Sequence, residues 1–203
     1  RGTGITLIAQ RNAVVLAKET ASVDQLSKGR LLFGIGAGYL IQEFEALGIN
    51  FEERGARTDE YIDAIRELWT SSKPEFAGQF VNYKGIQSRP LAYQNGGPPV
   101  IVGGTSKAAY RRAIQKGHGW YGFALNVASS QESVDALKTL SESTNRSTDL
   151  GELEISITPR VPLTDEVIKQ FEDMGVSRLI LLQTGQNEDQ ILEYIDQIAK
   201  DFL

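Results

Sequence analysis

Cysteine is absent from the chain's 203 residues. That excludes disulfides, thiolate metal sites and a Cys–His catalytic pair. Histidine occurs once, at His118, so one chain cannot build a multi-histidine metal centre, and no metal is expected. No serine sits in a Gly-x-Ser-x-Gly elbow, which leaves a serine nucleophile without support. No apolar run approaches the roughly 18 residues that a membrane span needs, and no signal-peptide pattern is present. Basic tracts are missing too, and the formal net charge is −5. Neither nucleic acid nor a membrane is therefore an expected partner. The lack of cysteine is compatible with a reducing cytoplasm, the expected location.

Glycine, by contrast, is concentrated where it matters. Leu31 to Ile35 forms a short apolar run after the turn Lys28–Gly29–Arg30, the pattern of a buried parallel strand. Gly34, Gly36 and Gly38 follow, so the backbone leaves that strand nearly bare. Such backbone suits close approach to a flat ring or an anion, or else tight packing against a neighbouring strand. The dinucleotide fingerprint Gly-x-Gly-x-x-Gly fails on spacing, because the sixth residue from Gly34 is Tyr39 and from Gly36 is Ile41. No Gly-x-x-x-x-Gly-Lys phosphate loop is present.

At 41% hydrophobic and 23% charged residues, the composition is that of an ordinary globular chain, long enough for one well-cored domain over residues 1–203. Hydrophobic periodicity predicts a strand over Ile5–Ala9, a helix over Ala13–Leu26 capped by Gly29, and the central strand Arg30–Ile35. A short helix over Gln42–Gly48, a loop over Ile49–Arg54 and an amphipathic helix over Arg57–Ser71 follow. Residues 72–98 are punctuated by proline and glycine and read as an insertion. Phe76, Phe80, Val81 and Tyr83 suit a hairpin there, serving as a substrate cover or as a surface excursion over the wall. Strand Pro99–Val102 ends in Gly103–Gly104–Thr105–Ser106 before helix Lys107–Lys116. Glycines and hydroxyls at a helix N-terminus match an anion site, or an ordinary strand–turn–helix connection. A strand reaching Phe123, a helix from Ser130 with a Ser129–Glu132 capping box, and a strand over Leu153–Val161 come next. Helix Asp165–Met174 capped by Thr164, strand Arg178–Leu182 and helix Asp189–Leu203 complete the chain. Six strands alternating with helices predict a parallel α/β protein, either a barrel or an open doubly wound sheet. A full barrel takes about 250 residues. The chain starts at Arg1 rather than Met, so an N-terminal part is expected to be lacking.

The run Leu16-Ala-Lys-Glu-Thr-Ala-Ser-Val-Asp-Gln-Leu-Ser-Lys-Gly-Arg-Leu-Leu-Phe-Gly-Ile-Gly-Ala-Gly-Tyr39 resembles the signature of the bacterial luciferase-like monooxygenases, above all their branch dependent on the deazaflavin coenzyme F420. Glu43-Phe-Glu-Ala-Leu-Gly48, Arg54-Gly-Ala-Arg-Thr-Asp-Glu-Tyr61, Leu68–Trp69, Pro98-Pro-Val-Ile-Val-Gly-Gly-Thr-Ser106 and Gly117-His-Gly-Trp120 continue the likeness in order. The resemblance implies a (β/α)8 TIM barrel lacking its first two strand–helix units, with the insertion at about 72–98. It implies a cis peptide at Gly4–Ile5 behind the cofactor ring, and Ala37, Gly38 and Gln42 against the cofactor. Around the cofactor phosphate it places Gly103, Gly104, Thr105 and Ser106. The catalytic group stays unassigned, because the family commonly draws an Asp or His from a strand not present here. His118 stands where family members often have Asp, at a strand entrance away from the catalytic face, which favours a structural role. Glu43 and Arg57 read as supports of the fold.

The implied activity is hydride transfer between coenzyme F420 and an organic small-molecule substrate. The alternatives are an FMN-dependent monooxygenase and a non-catalytic or truncated, inactive barrel. Lys107, Arg111 and Arg112 suit either the poly-glutamate tail of F420 or a solvated helix face, and a homodimer is compatible with this reading.

Overall fold

The computed structural model describes residues 1–202. Six strands form one parallel sheet in the order β1-β2-β5-β6-β7-β8, namely β1 (Thr6–Leu7), β2 (Phe33–Gly36), β5 (Val100–Gly103), β6 (Gly119–Leu125), β7 (Glu154–Pro159) and β8 (Arg178–Leu179). A two-stranded antiparallel hairpin, β3 (Phe76–Ala77) and β4 (Asn82–Tyr83), lies apart from it. Spatial order follows chain order without reversal. A doubly wound sheet would turn back on itself at a switch point, so the strand order selects the barrel type over that alternative. Among the described residues, β1 and β8 each carry one unpaired edge.

Side-chain alternation divides the sheet into two faces. Phe33, Ile35, Val100, Val102, Trp120 and Ile157 point outward into a buried core. That core is closed by α1 (Ala13–Ser27), α3 (Arg54–Thr70), α4 (Lys107–Lys116), α5 (Val127–Glu142) and α6 (Asp165–Asp173). Trp69 joins the layers: its ring meets Phe33 edge-on at 5.7 Å, and its Nε1 donates to the Ala17 carbonyl at 3.0 Å. The inward set is smaller and more polar. Leu32, Gly34, Ile101, Tyr121, Ser156, Arg178 and Ile180 line a cavity of about 340 Å³ in the bore.

Local chemistry sets the helix ends. Asn12 Oδ1 accepts the Val14 and Val15 amides at the start of α1. At its end Lys28 is the cap residue and takes the left-handed conformation (φ +55°), Gly29 follows at φ +73°, and the Gly29 amide reaches back to the Asp24 carbonyl, a Schellman closure. α2 (Ile41–Ala46) is followed by a 3-10 turn at Phe51–Glu53 rather than a free loop, and α3 begins at Arg54, earlier than the apolar period suggests. α5 begins at Val127 because Asn126 caps it, with Ser129 as the reciprocal partner in the capping box; the Ser129–Glu132 box is therefore corrected. β1 is only two residues long because Ile8–Gln10 winds into a 3-10 turn, and β8 stops at Leu179. α7 (Glu188–Phe202) has no buried residue; Leu203 lies outside the described residues.

The insertion lies on the wall, not over the mouth. Both Glu60 carboxylate oxygens, on α3, accept the Gln79, Phe80 and Val81 amides at 2.7–2.8 Å. Tyr83 Oη donates to the Ala64 carbonyl, and Asp24 of α1 accepts the Tyr93 and Gln94 amides. Of the two uses open to this segment, a surface excursion is the one observed. Among the described residues, no helix is long and apolar enough to cross a membrane.

Candidate functional site

At the carboxyl ends of β2 and β5, glycines create a floor that another side chain fills. The Gly4–Ile5 peptide is cis, as the resemblance implies, and the chain there bulges toward the neighbouring strands. A Cβ at Gly34 would lie 1.9 Å from the Thr3 carbonyl oxygen; one at Gly36 would lie 2.0 Å from Ile5 Cδ1, and one at Gly103 3.2 Å from Ile5 Cγ2. Gly34 and Gly36 are thus bare because Thr3 and Ile5 occupy the space, which is the tight-packing alternative of the sequence analysis. The half-buried Ile5 side chain, rather than naked backbone, forms the surface between β2 and β5.

The structure brings Gly4, Ile5 and Gly103 together. Gly104 takes φ +114°, and the exposed stretch Gly104–Ala108 turns into α4. Ser106 caps that helix, its Oγ accepting the Ala109 amide at 3.2 Å. The first amides of a helix have no intrahelical acceptor, so those of Lys107 and Ala108 face outward at the positive end of the dipole. Trp120, buried behind the loop, donates Nε1–H to the Gly104 carbonyl at 2.7 Å and fixes which way this turn presents its amides. That positioning residue escaped the sequence reading, since a Trp in an alternating strand signals only an outward core side chain.

Ala37 and Gly38 leave β2 beside this turn. Gly38 takes φ +86°, and a Cβ there would lie 2.8 Å from the Phe44 ring, so packing against α2 already requires the glycine. Gln42 is exposed on the first turn of α2. Glu43 accepts from Gln10 Nε2 at 3.0 Å, and Arg57 donates to Tyr61 Oη beneath the Phe80 ring, so both support the fold. Arg112 cannot serve a ligand tail. It is buried and held by Asp59, with Nε–Oδ1 at 2.6 Å and Nη2–Oδ2 at 3.2 Å, while Lys107 and Arg111 stay exposed.

His118 stands at the entrance of β6, at the opposite end of the sheet. Its Nδ1 accepts the Val100 amide at 3.0 Å. Burial, then the nearby Arg66 and Arg146 charges, push its pKa down to about 4. It is a neutral structural imidazole at neutral pH.

The chemistry this arrangement offers is binding and orientation: an apolar floor beside a rigid turn rich in outward amides. A ring with a phosphate tail fits both parts.

A sequence model of the family described as luciferase-like monooxygenase matches residues 2–178. An uncharacterised protein of Mycobacterium tuberculosis (strain ATCC 25618 / H37Rv) is 29% identical over 171 residues, 84% of this chain and 57% of that protein. An FMNH(2)-dependent dimethylsulfone monooxygenase of Pseudomonas fluorescens (strain Pf0-1) is 28% identical over 138 residues, 66% of this chain and 37% of that enzyme. Among solved structures, the coenzyme F420 dependent tetrahydromethanopterin reductase from Methanopyrus kandleri superposes with a TM-score of 0.76 at 14% identity, covering 98% of this chain and 82% of the reductase; that likeness bears on the fold alone. The chain spans little more than half the length of the first curated relatives it matches. With the family match running over most of its residues, the chain belongs to the luciferase-like monooxygenase family.

Proposed function

We propose that this chain is the cofactor-holding part of an oxidoreductase that moves a hydride between coenzyme F420 and an organic substrate. The observation that carries the reading is the pairing of two surfaces at one end of the sheet. Ile5 over Gly36 and Gly103 offers a floor for a flat ring, and Gly104 to Ala108 offers amides for a phosphate. When bound, the deazaflavin supplies the hydride chemistry. Ile5 would back the ring, Trp120 would hold the Gly104 turn in register, and Ser106 would keep the first turn of α4 ordered beside the phosphate. Ala37 and Gly38 would border the ring from β2. Fixing ring and tail together is how such a site contributes orientation.

An FMN-dependent monooxygenase is the second reading, favoured by the Pseudomonas relative. The floor and the anion turn serve either cofactor. Fluorescence titration with F420, FMN and riboflavin tests both. FMN should bind at least 10-fold tighter than riboflavin, reporting the phosphate turn, and F420 tighter than FMN. Preference for FMN transfers the proposal to the monooxygenase. Equal binding of FMN and riboflavin removes the phosphate turn from the site, and no binding of any of the three leaves a non-catalytic barrel.

A further inference from the structure

β6 breaks its ladder at one place. Gly119 to Gly122 pair regularly with Glu154 to Ile157 of β7, and the next pair is Leu125 with Pro159. Phe123 and Ala124 therefore oppose a single residue, Thr158, which is a bulge of one extra residue. Ala124 takes φ +55°; among the described residues the only other non-glycine with positive φ is Lys28, which closes α1. A bulge re-aims the side chain it carries, and a left-handed alanine is kept only where its surroundings demand it.

The bulge lies just beyond Phe123 and turns Leu125 to the outer face, where it packs against the core, so Phe123 is the last inward side chain of β6. It lies on the same, inward face as Tyr121, with ring centroids 6.4 Å apart and planes at 59°. Tyr121 is itself fixed, buried with its hydroxyl 2.7 Å from Thr158 Oγ1. Phe123 nevertheless keeps 59% of its surface exposed. On one side, β5 ends in Gly103–Gly104 and presents no side chain. On the other, beyond β7, Ile180 and Leu182 stand exposed at the end of β8. The mouth thus has two unlike halves, a glycine and Ile5 floor under β2 and β5 and an apolar wall over β6 to β8.

We infer that Phe123 is a specificity-determining residue, the wall against which the substrate lies, and that the substrate is an aromatic compound presenting a flat apolar face to it. The bulge sends Leu125 to the outer core, so that no inward side chain of β6 follows Phe123 and covers it. This rests on the proposed function for the cofactor on the opposite half, but its test is separate.

The probe is 2-naphthaldehyde, followed by saturation-transfer NMR and titration on the wild type, Phe123→Ala, Phe123→Leu and Phe123→Trp. Binding of F420 and FMN is measured on the same samples. The wild type should bind the aldehyde, Phe123→Trp within twofold of it, and Phe123→Ala and Phe123→Leu at least fivefold more weakly, with cofactor affinity unchanged. Equal aldehyde affinity in Phe123→Leu overturns the inference, and Phe123→Leu decides if Phe123→Ala does not fold. Absence of aldehyde binding by the wild type also overturns it, as does a parallel loss of cofactor affinity, which would assign Phe123 to the cofactor seat. If neither cofactor binds, the proposed function fails while the aldehyde comparison still decides the role of Phe123.

Discussion

Arg146 donates to five carbonyl oxygens, those of Ala113, Ile114 and Gly117 at the end of α4 and of Leu150 and Gly151 beyond α5. It closes the carboxyl end of α4 as a cap would, and Arg66, donating to the Lys116 carbonyl, completes the closure. Their charges, placed near His118 for that structural reason, add to burial in pushing the histidine pKa down. The unfolded chain takes up a proton near pH 6.5, whereas the folded chain resists until about pH 4. The stability held by this group is complete above pH 6.5 and is lost as the pH falls toward 4. Melting temperatures measured across that window should drop more steeply for the wild type than for His118→Asn, and identical slopes would contradict the linkage. Asp24 is the other decisive side chain. Fully buried, it accepts the Tyr93 and Gln94 amides and Gln94 Nε2 at 2.8–3.0 Å. Asp24→Ala removes the acceptor of three part-buried donors and should cost about 2–4 kcal/mol in urea denaturation, with Asp24→Asn costing less.

At the scale of the element, the glycines of β2 differ in kind. The obstacle facing a Cβ at Gly34 is backbone, the Thr3 carbonyl, whereas at Gly36 it is the tip of the Ile5 side chain. Gly34→Ala should therefore cost about 3 kcal/mol or more, because strand β2 or the Thr3–Ile5 bulge must move. Gly36→Ala should cost about 1–2 kcal/mol and be largely restored in the double variant with Ile5→Val, which removes the clashing Cδ1. Additive losses in that cycle would mean that Ile5 does not fill the space above Gly36. The hairpin depends on one carboxylate in the same way. Glu60→Gln leaves three clustered amides sharing a single acceptor oxygen, so backbone exchange should rise at Gln79, Phe80 and Val81 while α3 stays protected.

Across the whole molecule, the two ends of the sheet divide the labour. The carboxyl end gathers the Ile5 floor, the Gly104 turn and Phe123, and the amino end gathers His118, Arg66 and Arg146 as fastening. Protection is uneven too: α3 buries Tyr61, Ile62, Ala64, Ile65, Leu68 and Trp69, while α7 buries nothing. Hydrogen exchange should be at least about 100-fold slower in the middle of α3 than in α7. Periodicity located the six parallel strands, the α4 limits, the Thr164 cap and the 76–83 hairpin, because each rests on neighbours in sequence. The Asn126 cap of α5, the brevity of β1 and β8 and the burial of Arg112 against Asp59 were not legible, since each depends on a partner far along the chain or on a cap outside the apolar pattern. For the site, the glycines and the Gly103–Ser106 turn were visible as a pattern, but their purpose was not. By itself the sequence determined the alternating strands and helices and the family signature, since these follow from local periodicity and residue order. Only the tertiary structure decided that Gly34 and Gly36 make room for Thr3 and Ile5, that the insertion lies on the wall and that Phe123 faces the mouth. Those outcomes depend on which atoms of distant segments compete for the same space.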